Sequence, residues 1–469
     1  MGRSLLLEAI LEEKVVELFS LQKVQVGLIL GQQSDPKDFG THLVRCPDPV
    51  DDEAEVETAN QETHLEDQNN DKQSDKKKNA QQQSGKGNDV FDVKWIAEHG
   101  RQVNRMLIGG TSVIGLFVYC SSEIVAKNQT KLVQCLQGLQ SRIECNKWLR
   151  KAYIHSDRYL LHICSTTKKL TCRTFDLSDK QGASKPADCR YQQFLFGWHC
   201  ASSTIDVHIN ISVPLSQKAT ETEKSILLAC QDEIEQIWNS HTTEGCQLID
   251  EDQSISGQPS KSKKQAPVGK ELKFTLFKNL SHKGVDNIMK KEATNLEVKF
   301  FGAIQSKAVL NAKATYGDAI KALKVDIIRS LLTRIGLLCE EAEVNNLDQV
   351  QEWSLVSPTR VFYPVALSKL YFCDYSFKDE SVEDILSRFS ELLNLNSKSS
   401  ELVYLEKSPD ISEASMLFHS PEKCIDQQSD IASEMSSSLV EEPSKNYFIY
   451  FLIALLVMLI GVAVHIALN

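Results

Sequence analysis

Net positive charge is the first thing this chain lacks. Asp and Glu total 63 against 52 Lys and Arg, a formal charge of −11 over 469 residues. A chain so acidic has no basic footprint of the kind duplex nucleic acid demands. No secretory leader is expected either, because the opening MGRSLLLEAILEEKVVELF is amphipathic and acidic. Myristoylation is not expected, because Leu6 stands where that signal wants Ser or Thr. The 13 cysteines are odd in number and without regular spacing, so no disulfide framework or zinc-finger set is legible and reduced cytosolic thiols are expected. There is no internal repeat of fixed period. What remains, 42% hydrophobic and 25% charged, is ordinary globular usage, and the length suggests two or three domains.

Charge is wholly absent from one long stretch. Residues 447–468 read YFIYFLIALLVMLIGVAVHIAL, with no Asp, Glu, Lys or Arg. At about 1.5 Å per residue this makes a helix of roughly 33 Å, enough to cross a hydrocarbon core of about 30 Å. Tyr447 and Tyr450 stand at the headgroup level, and Leu452, Leu455, Leu459 and Leu468 supply lipid-facing bulk. Only Asn469 follows, so the segment is expected to insert after synthesis as a tail anchor, with the body in the cytosol. Lys445 just before it agrees with the positive-inside rule. His465, near the far interface, is expected to snorkel and not to relay protons. A GPI signal would also end in an apolar tail, but it needs a leader, which is not expected here. Sequons begin at Asn128, Asn210 and Asn279, and a cytosolic body leaves all three without glycan.

The rest divides by composition. Residues 1–249 form a first α/β (α+β) unit, interrupted by an acidic insert at 51–88 that has too few large apolar residues to offset its ordering entropy. A polar linker at 250–269 precedes a second α+β unit at 270–395, and a Ser-rich, acidic tether at 396–444 leads to the anchor. Helical periodicity is expected at 4–19, 90–106, 131–152, 220–240, in GDAIKALKVDIIRSLLTRIGLLCEEAEV and in SVEDILSRFSELLNL. VQVGLILG, THLVRCPDP, MLIGGTSVIGLFVYC, RYLLHICST, LTCRTFDL, KELKFTLFKN, LEVKFFGAIQ, PTRVFYPV and KLYFCDYSF read as strands, MLIGGTSVIGLFVYC being buried on both faces.

Candidate chemistry is sparse. His162 with Cys164, and His199 with Cys200, could be ligands or a Cys–His nucleophile pair, but neither has a second pair at zinc-site spacing, and ordinary packing is the expectation for both. The glycines of Ile108-Gly109-Gly110-Thr111 lack the lysine of a P-loop and are expected to serve a tight turn. Short basic runs near Lys76 and Lys261 lie in acidic linkers and read as solvated.

The order of helix, GLILG strand, strand ending at prolines, helix and VIGLFVYC resembles an MPN-type domain, the fold of zinc-dependent deubiquitinases and their inactive scaffold relatives. In the active members a segment like VVGWYHSHP supplies two zinc-binding histidines, a Ser-x-x-Asp set follows, and an upstream Glu activates the metal-bound water. Ile114 and Gly115 match that segment; Val118 and Cys120 stand in the two histidine places. The resemblance therefore implies a catalytically dead copy with no cofactor.

VQVGLILGQQSDPKDFG, MLIGGTSVIGLFVYCSS, DIIRSLLTRIGLL, PTRVFYPV and the C-terminal span together resemble, nearly end to end, the odorant-response-abnormal family of tail-anchored receptor-trafficking factors, the fourth of that named series. This resemblance implies an endoplasmic-reticulum adaptor that assists multi-pass G-protein-coupled receptors, odorant receptors included. It also implies partnership with a cysteine protease specific for the ubiquitin-fold modifier, itself MPN-like. Two other classes compete: an active hydrolase, either a metal isopeptidase with unusual ligands or a thiol protease using Cys120, Cys164 or Cys200, and a membrane tether, for which residues 396–444 lack the heptads.

Overall fold

The computed structural model describes residues 3–21, 23–48, 90–179, 184–214, 219–245, 247–257, 269–278, 295–344, 357–366, 368–396 and 398–406. All fall in one compact unit, Met1–Pro409. The expected acidic insert, the anchor at 447–468, most of the tether, Asn279 and both basic runs lie outside the described residues. Among the described residues no helix is long and apolar enough to cross a membrane.

Seven strands close into a barrel in the order β1-β3-β2-β4-β5-β6-β7: β1 Ser4–Glu8, β2 Gln25–Gln32, β3 Lys37–Arg45, β4 Ser112–Cys120, β5 Asp157–Cys164, β6 Leu170–Asp176 and β7 Lys185–Gln192. The barrel closes through a parallel β1–β7 pairing, Leu5 opposite Cys189. β4 is buried at every position, as its unbroken apolar run predicts. It serves two cores, by alternation from Leu116 onward and through a register shift at Ile114. Ile114, Phe117 and Tyr119 join Leu5, Leu7, Ile29, Tyr159 and Leu161 in a cluster drawn from around the barrel. Leu116, Val118 and Cys120 face the other way, toward Ile96, Val103, Leu132 and Leu136. Those residues come from α2 Val93–Arg105 and α4 Gln129–Ile143, which pack on the sheet on either side of β4 in the chain. Asp92 caps α2 by accepting from the Trp95 N–H at 2.8 Å.

The opening segment corrects the expectation of one helix over 4–19. Ser4–Glu8 is a strand hydrogen-bonded on both sides, to β3 and to β7, and only Leu11–Leu18 is helical (α1). Three consecutive leucines bury equally well in either geometry, and barrel closure decided between them. The expected helix at 131–152 likewise stops at Ile143, with a short 3₁₀ turn at Leu149–Ala152.

The boundary expected at 250–269 does not separate two bodies. β8 His199–Pro214 precedes it, yet pairs in parallel with β11 Glu271–Phe277 and antiparallel, along its whole length, with β12 Asn295–Leu310. With β9 His241–Glu244 and β10 Gln247–Leu248 these make one sheet, β10-β9-β11-β8-β12. Part of the linker is core: Ile255 is fully buried. A polar composition marks solvent exposure of a loop and says nothing about which sheet its flanks join. α3 Ser122–Lys127 follows β4, while α5 Ala219–Ala229, α6 Gln231–Trp238 and the long α7 Tyr316–Val344 pack with this sheet. A third sheet, β14-β13-β15, comprises β13 Thr359–Pro364, β14 Tyr371–Ser376 and β15 Val403–Tyr404 and is covered by α8 Val382–Leu393. β15 corrects the start of the tether, since residues 398–406 belong to the fold.

The three sheets meet at residues 106–111. Gly110 adopts φ +77°, and a Cβ there would lie 2.0 Å from the Val309 carbonyl oxygen, so the turn expected of these glycines is also a close backbone contact. Gln32 fills its amide capacity at the same seam: Nε2 donates to Gly110 O at 2.7 Å and Val309 O at 3.0 Å, and Oε1 accepts from the Asn311 N–H and Nδ2 at 2.9 Å each. Beneath it, Asp326 of α7 and Arg360 of β13 form a fully buried bidentate pair at 2.8 and 2.9 Å. Ser306 Oγ and the Lys307 N–H also donate to Asp326, while Arg329 donates to the carbonyls of Leu107 and Thr111.

Asp326→Ala strands the Arg360 guanidinium and is expected to cost about 3–5 kcal/mol, seen as a lower urea midpoint; the apolar pair Asp326→Leu with Arg360→Met is expected to lose much less. A second expectation concerns acid. His99 is buried in the core; its Nε2 donates to Leu392 O, so the neutral ring accepts at Nδ1 from the Cys46 thiol, both at 3.1 Å. Burial lowers this ring from 6.5 to about 4, and His42, buried beside Lys14, to about 3. The native rings resist protons that the unfolded chain takes up below 6.5, so stability is full above that pH and falls as pH drops toward 4 and below. Urea midpoints across pH 4–7 should show this slope, and His99→Gln, which keeps a donor, should reduce it.

Candidate functional site

The place where the resemblance would put a metal is the C-terminal end of β4. Val118 there is fully buried among aliphatic side chains, and a β-branched alkyl group has no lone pair to offer zinc. Cys120 is 2% exposed. Burial and the neighbouring Cys164 push its thiol up to about 11, so it stays protonated and is a poor ligand. A Ser-x-x-Asp set is also ruled out, because no aspartate lies between Asp92 and Asp157. The residues present do not fit the metal of the active members of the resembled fold. Among the described residues no group of three or more His, Cys, Asp or Glu is placed to hold a metal ion.

β5 runs parallel to β4, with Val118 opposite His162 and Cys120 opposite Cys164. This brings His162, Cys164 and Cys120 together on one face, as the alternation of HIC predicts for the first two. The His162 ring is committed to the backbone: Nε2 donates to Cys120 O at 3.1 Å. The Cys164 sulfur accepts from the Thr167 N–H and shares a hydrogen bond with Ser122 Oγ, each at 3.5 Å. Those donors, Ser122 foremost, lower the thiol to about 6.

His199 and Cys200 do not form a nucleophile pair. Adjacent residues on a strand point to opposite faces, and both His199 nitrogens are occupied. Nδ1 accepts from the Lys270 N–H at 2.9 Å, which leaves Nε2 to donate to Ser256 Oγ at 3.0 Å. The ring fastens the start of β8 to the chain around residues 256 and 270. The carbonyls of Leu107, Ile108 and Thr111 accept from Arg329, so this turn joins sheets instead of cradling phosphate. Asn128, at the junction of α3 and α4, donates from Nδ2 to Ile124 O at 2.9 Å.

One polar centre escaped the sequence. Asp38, at the start of β3, is fully buried. It accepts from Arg3 Nε and Nη2 at 2.9 Å, the Ser34 N–H at 2.8 Å and the Tyr159 hydroxyl at 2.6 Å. His155 Nε2 lies 3.5 Å from the same carboxylate, and burial, then Arg3, lower that ring. With its oxygens already engaged by four donors, Asp38 is a clasp joining the beginnings of β1, β3 and β5 more than an orienter for a catalytic histidine. The signal is weak in sequence because its partners lie 35 and 121 positions away. A nearby cleft of about 100 Å³ carries Lys151, Asp318 and Lys321, with no histidine or cysteine in its lining.

The family model described as odorant response abnormal 4-like matches residues 27–404. The odr-4 homolog of Xenopus laevis is 28% identical over 421 residues, covering 87% of each chain. The Homo sapiens odr-4 homolog is 29% identical over 411 residues, 84% of each. The Caenorhabditis elegans odorant response abnormal protein 4 is 20% identical over 318 residues, 65% of this chain and 64% of that one. Among solved structures, UfSP from C. elegans superposes with a TM-score of 0.38 at 8% identity, over 85% of this chain and 57% of that one; a likeness at that level carries no argument about chemistry or partners.

The chemistry of the β4 end yields a direct expectation. The purified chain, equilibrated with zinc and then dialysed, should hold no stoichiometric metal by elemental analysis; one tightly held zinc per chain would mean that other residues build a site.

Proposed function

The chain belongs to the odorant response abnormal 4-like family, and from that premise we propose a non-enzymatic, tail-anchored adaptor of the endoplasmic reticulum. In this reading the MPN-like body faces the cytosol, and residues 447–468, with Tyr447 and Tyr450 at the interface, hold it to the bilayer. It assists maturation or trafficking of multi-pass G-protein-coupled receptors of the odorant type, and it recruits a cysteine protease specific for the ubiquitin-fold modifier.

The observation that carries the non-enzymatic part is Val118: an alkyl group, sealed in the core, at the strand end where the active members of the resembled fold keep a histidine. The His199 ring supports the same reading, since both of its nitrogens are engaged and neither serves Cys200 as a base. The charge-free 22 residues before Asn469 support the anchor, and the relatives' names support the link to odorant response. A bilayer-held body that binds a soluble protease would raise that protease's local concentration without any new contact.

Deleting residues 447–469 should move the protein from the membrane pellet to the soluble fraction while co-purification of the modifier protease survives. A truncated chain that stays with membranes, or loses all partner binding, would overturn the proposal.

A further inference from the structure

The end of the β4–β5 pair, inert toward metal, has a second capability. We propose that Cys164 and Cys120 form an oxidation site for small hydroperoxides, Cys164 being the sulfur attacked first and Cys120 the one that resolves it to a disulfide.

The backbone brings the two residues together. They are register partners on adjacent parallel strands, which spaces their Cα atoms by about 4.8 Å, inside the range of about 4.4–6.8 Å that a disulfide spans. They share a face, because the intervening Tyr119 and Ile163 both turn to the barrel cluster. The two sulfurs differ in setting. Cys120 sits in the aliphatic core. Beside Cys164 lie the exposed Ser122, Thr166 and Thr167; the Thr167 N–H donates to its sulfur, and Ser122 Oγ shares a hydrogen bond with it. Those donors favour the thiolate, the nucleophilic form. With the residue only 4% exposed, an oxidant as small as hydrogen peroxide is favoured over a bulky disulfide such as oxidised glutathione.

The chemistry balances. The Cys164 thiolate attacks one peroxide oxygen; the O–O bond breaks, an S–O bond forms, and the departing hydroxide takes the proton Cys164 released, leaving as water. Cys120 then attacks the sulfenic sulfur, the S–S bond forms as S–O breaks, and the second hydroxide leaves with the Cys120 proton. Two thiols lose two electrons, and one hydrogen peroxide becomes two waters. Of the other neighbouring thiols, Cys172 is hydrogen-bonded to Cys189, which keeps it protonated, and Cys46, beside Cys135, is held protonated by burial; both settings disfavour attack.

The test treats the full chain, in mild detergent, with hydrogen peroxide, then blocks free thiols and maps peptides by mass spectrometry without reduction. The expected product is a Cys120–Cys164 cross-linked peptide pair, two hydrogens lighter than the dithiol, formed at least as readily as oxidation of the exposed Cys145. In Cys120→Ser, dimedone should capture a sulfenic acid on Cys164; in Cys164→Ser, Cys120 should remain a free thiol. Both thiols remaining free in the wild-type chain while Cys145 oxidises, or a cross-link between Cys172 and Cys189 in their place, would overturn the proposal. The wild-type map requires no variant to fold.

Discussion

The fold depends on a pair of charges with no access to water. Asp326 and Arg360 come from α7 and β13, and around them converge the edge strand β12 and the 106–111 turn that leads into β4. Ionised groups so deeply buried are costly unless paired and hydrogen-bonded in good geometry, and here only the Arg360 Nε lacks a partner on the pair. The pair therefore penalises misplacement of the three sheets more than it adds net stability. Arg334 and Glu406 extend the same arrangement to the end of the described chain, where Glu406 also accepts from the backbone N–H groups of Gln305 and Arg360. The segment leading toward the C-terminal apolar run is thereby tied to the seam that organises the body.

That architecture leaves β4 with a structural duty. A strand buried at every position, serving a core on each face, has little room for a hydrated metal and its substrate. Val118 shows the consequence most clearly: it packs with α2 and α4 where a histidine would have to reach solvent. What chemistry survives lies one layer under the surface at the strand's end, where Cys164 leaves the aliphatic core and meets hydroxyl and backbone donors.

Much of this was legible before any coordinates. VQVGLILG and SVIGLFVYC could be read as strands because their β-branched and aliphatic runs are too dense for an amphipathic helix. The same pattern reasoning misread Leu5-Leu6-Leu7, since a short apolar run suits helix and strand alike. It had no purchase on β7, KPADCRYQ, whose largely exposed residues carry no hydrophobic alternation. The separation of two units at 250–269 failed for a related reason. Composition reports whether a segment meets water, and a parallel strand pairing that jumps across a polar loop leaves no trace in it.

The sequence by itself determined the elements that rest on local patterning, the apolar C-terminal run, and the absence of a histidine at Val118, because each is a property of residue type or near-neighbour spacing. Only the tertiary structure decided that Asp38 is consumed by Arg3 and Tyr159, that Asp326 belongs to Arg360, and that Cys120 lies beside Cys164. Those pairings join residues 34 to 121 positions apart, and at that range the partner of a buried charge or thiol is set by which strands happen to lie side by side.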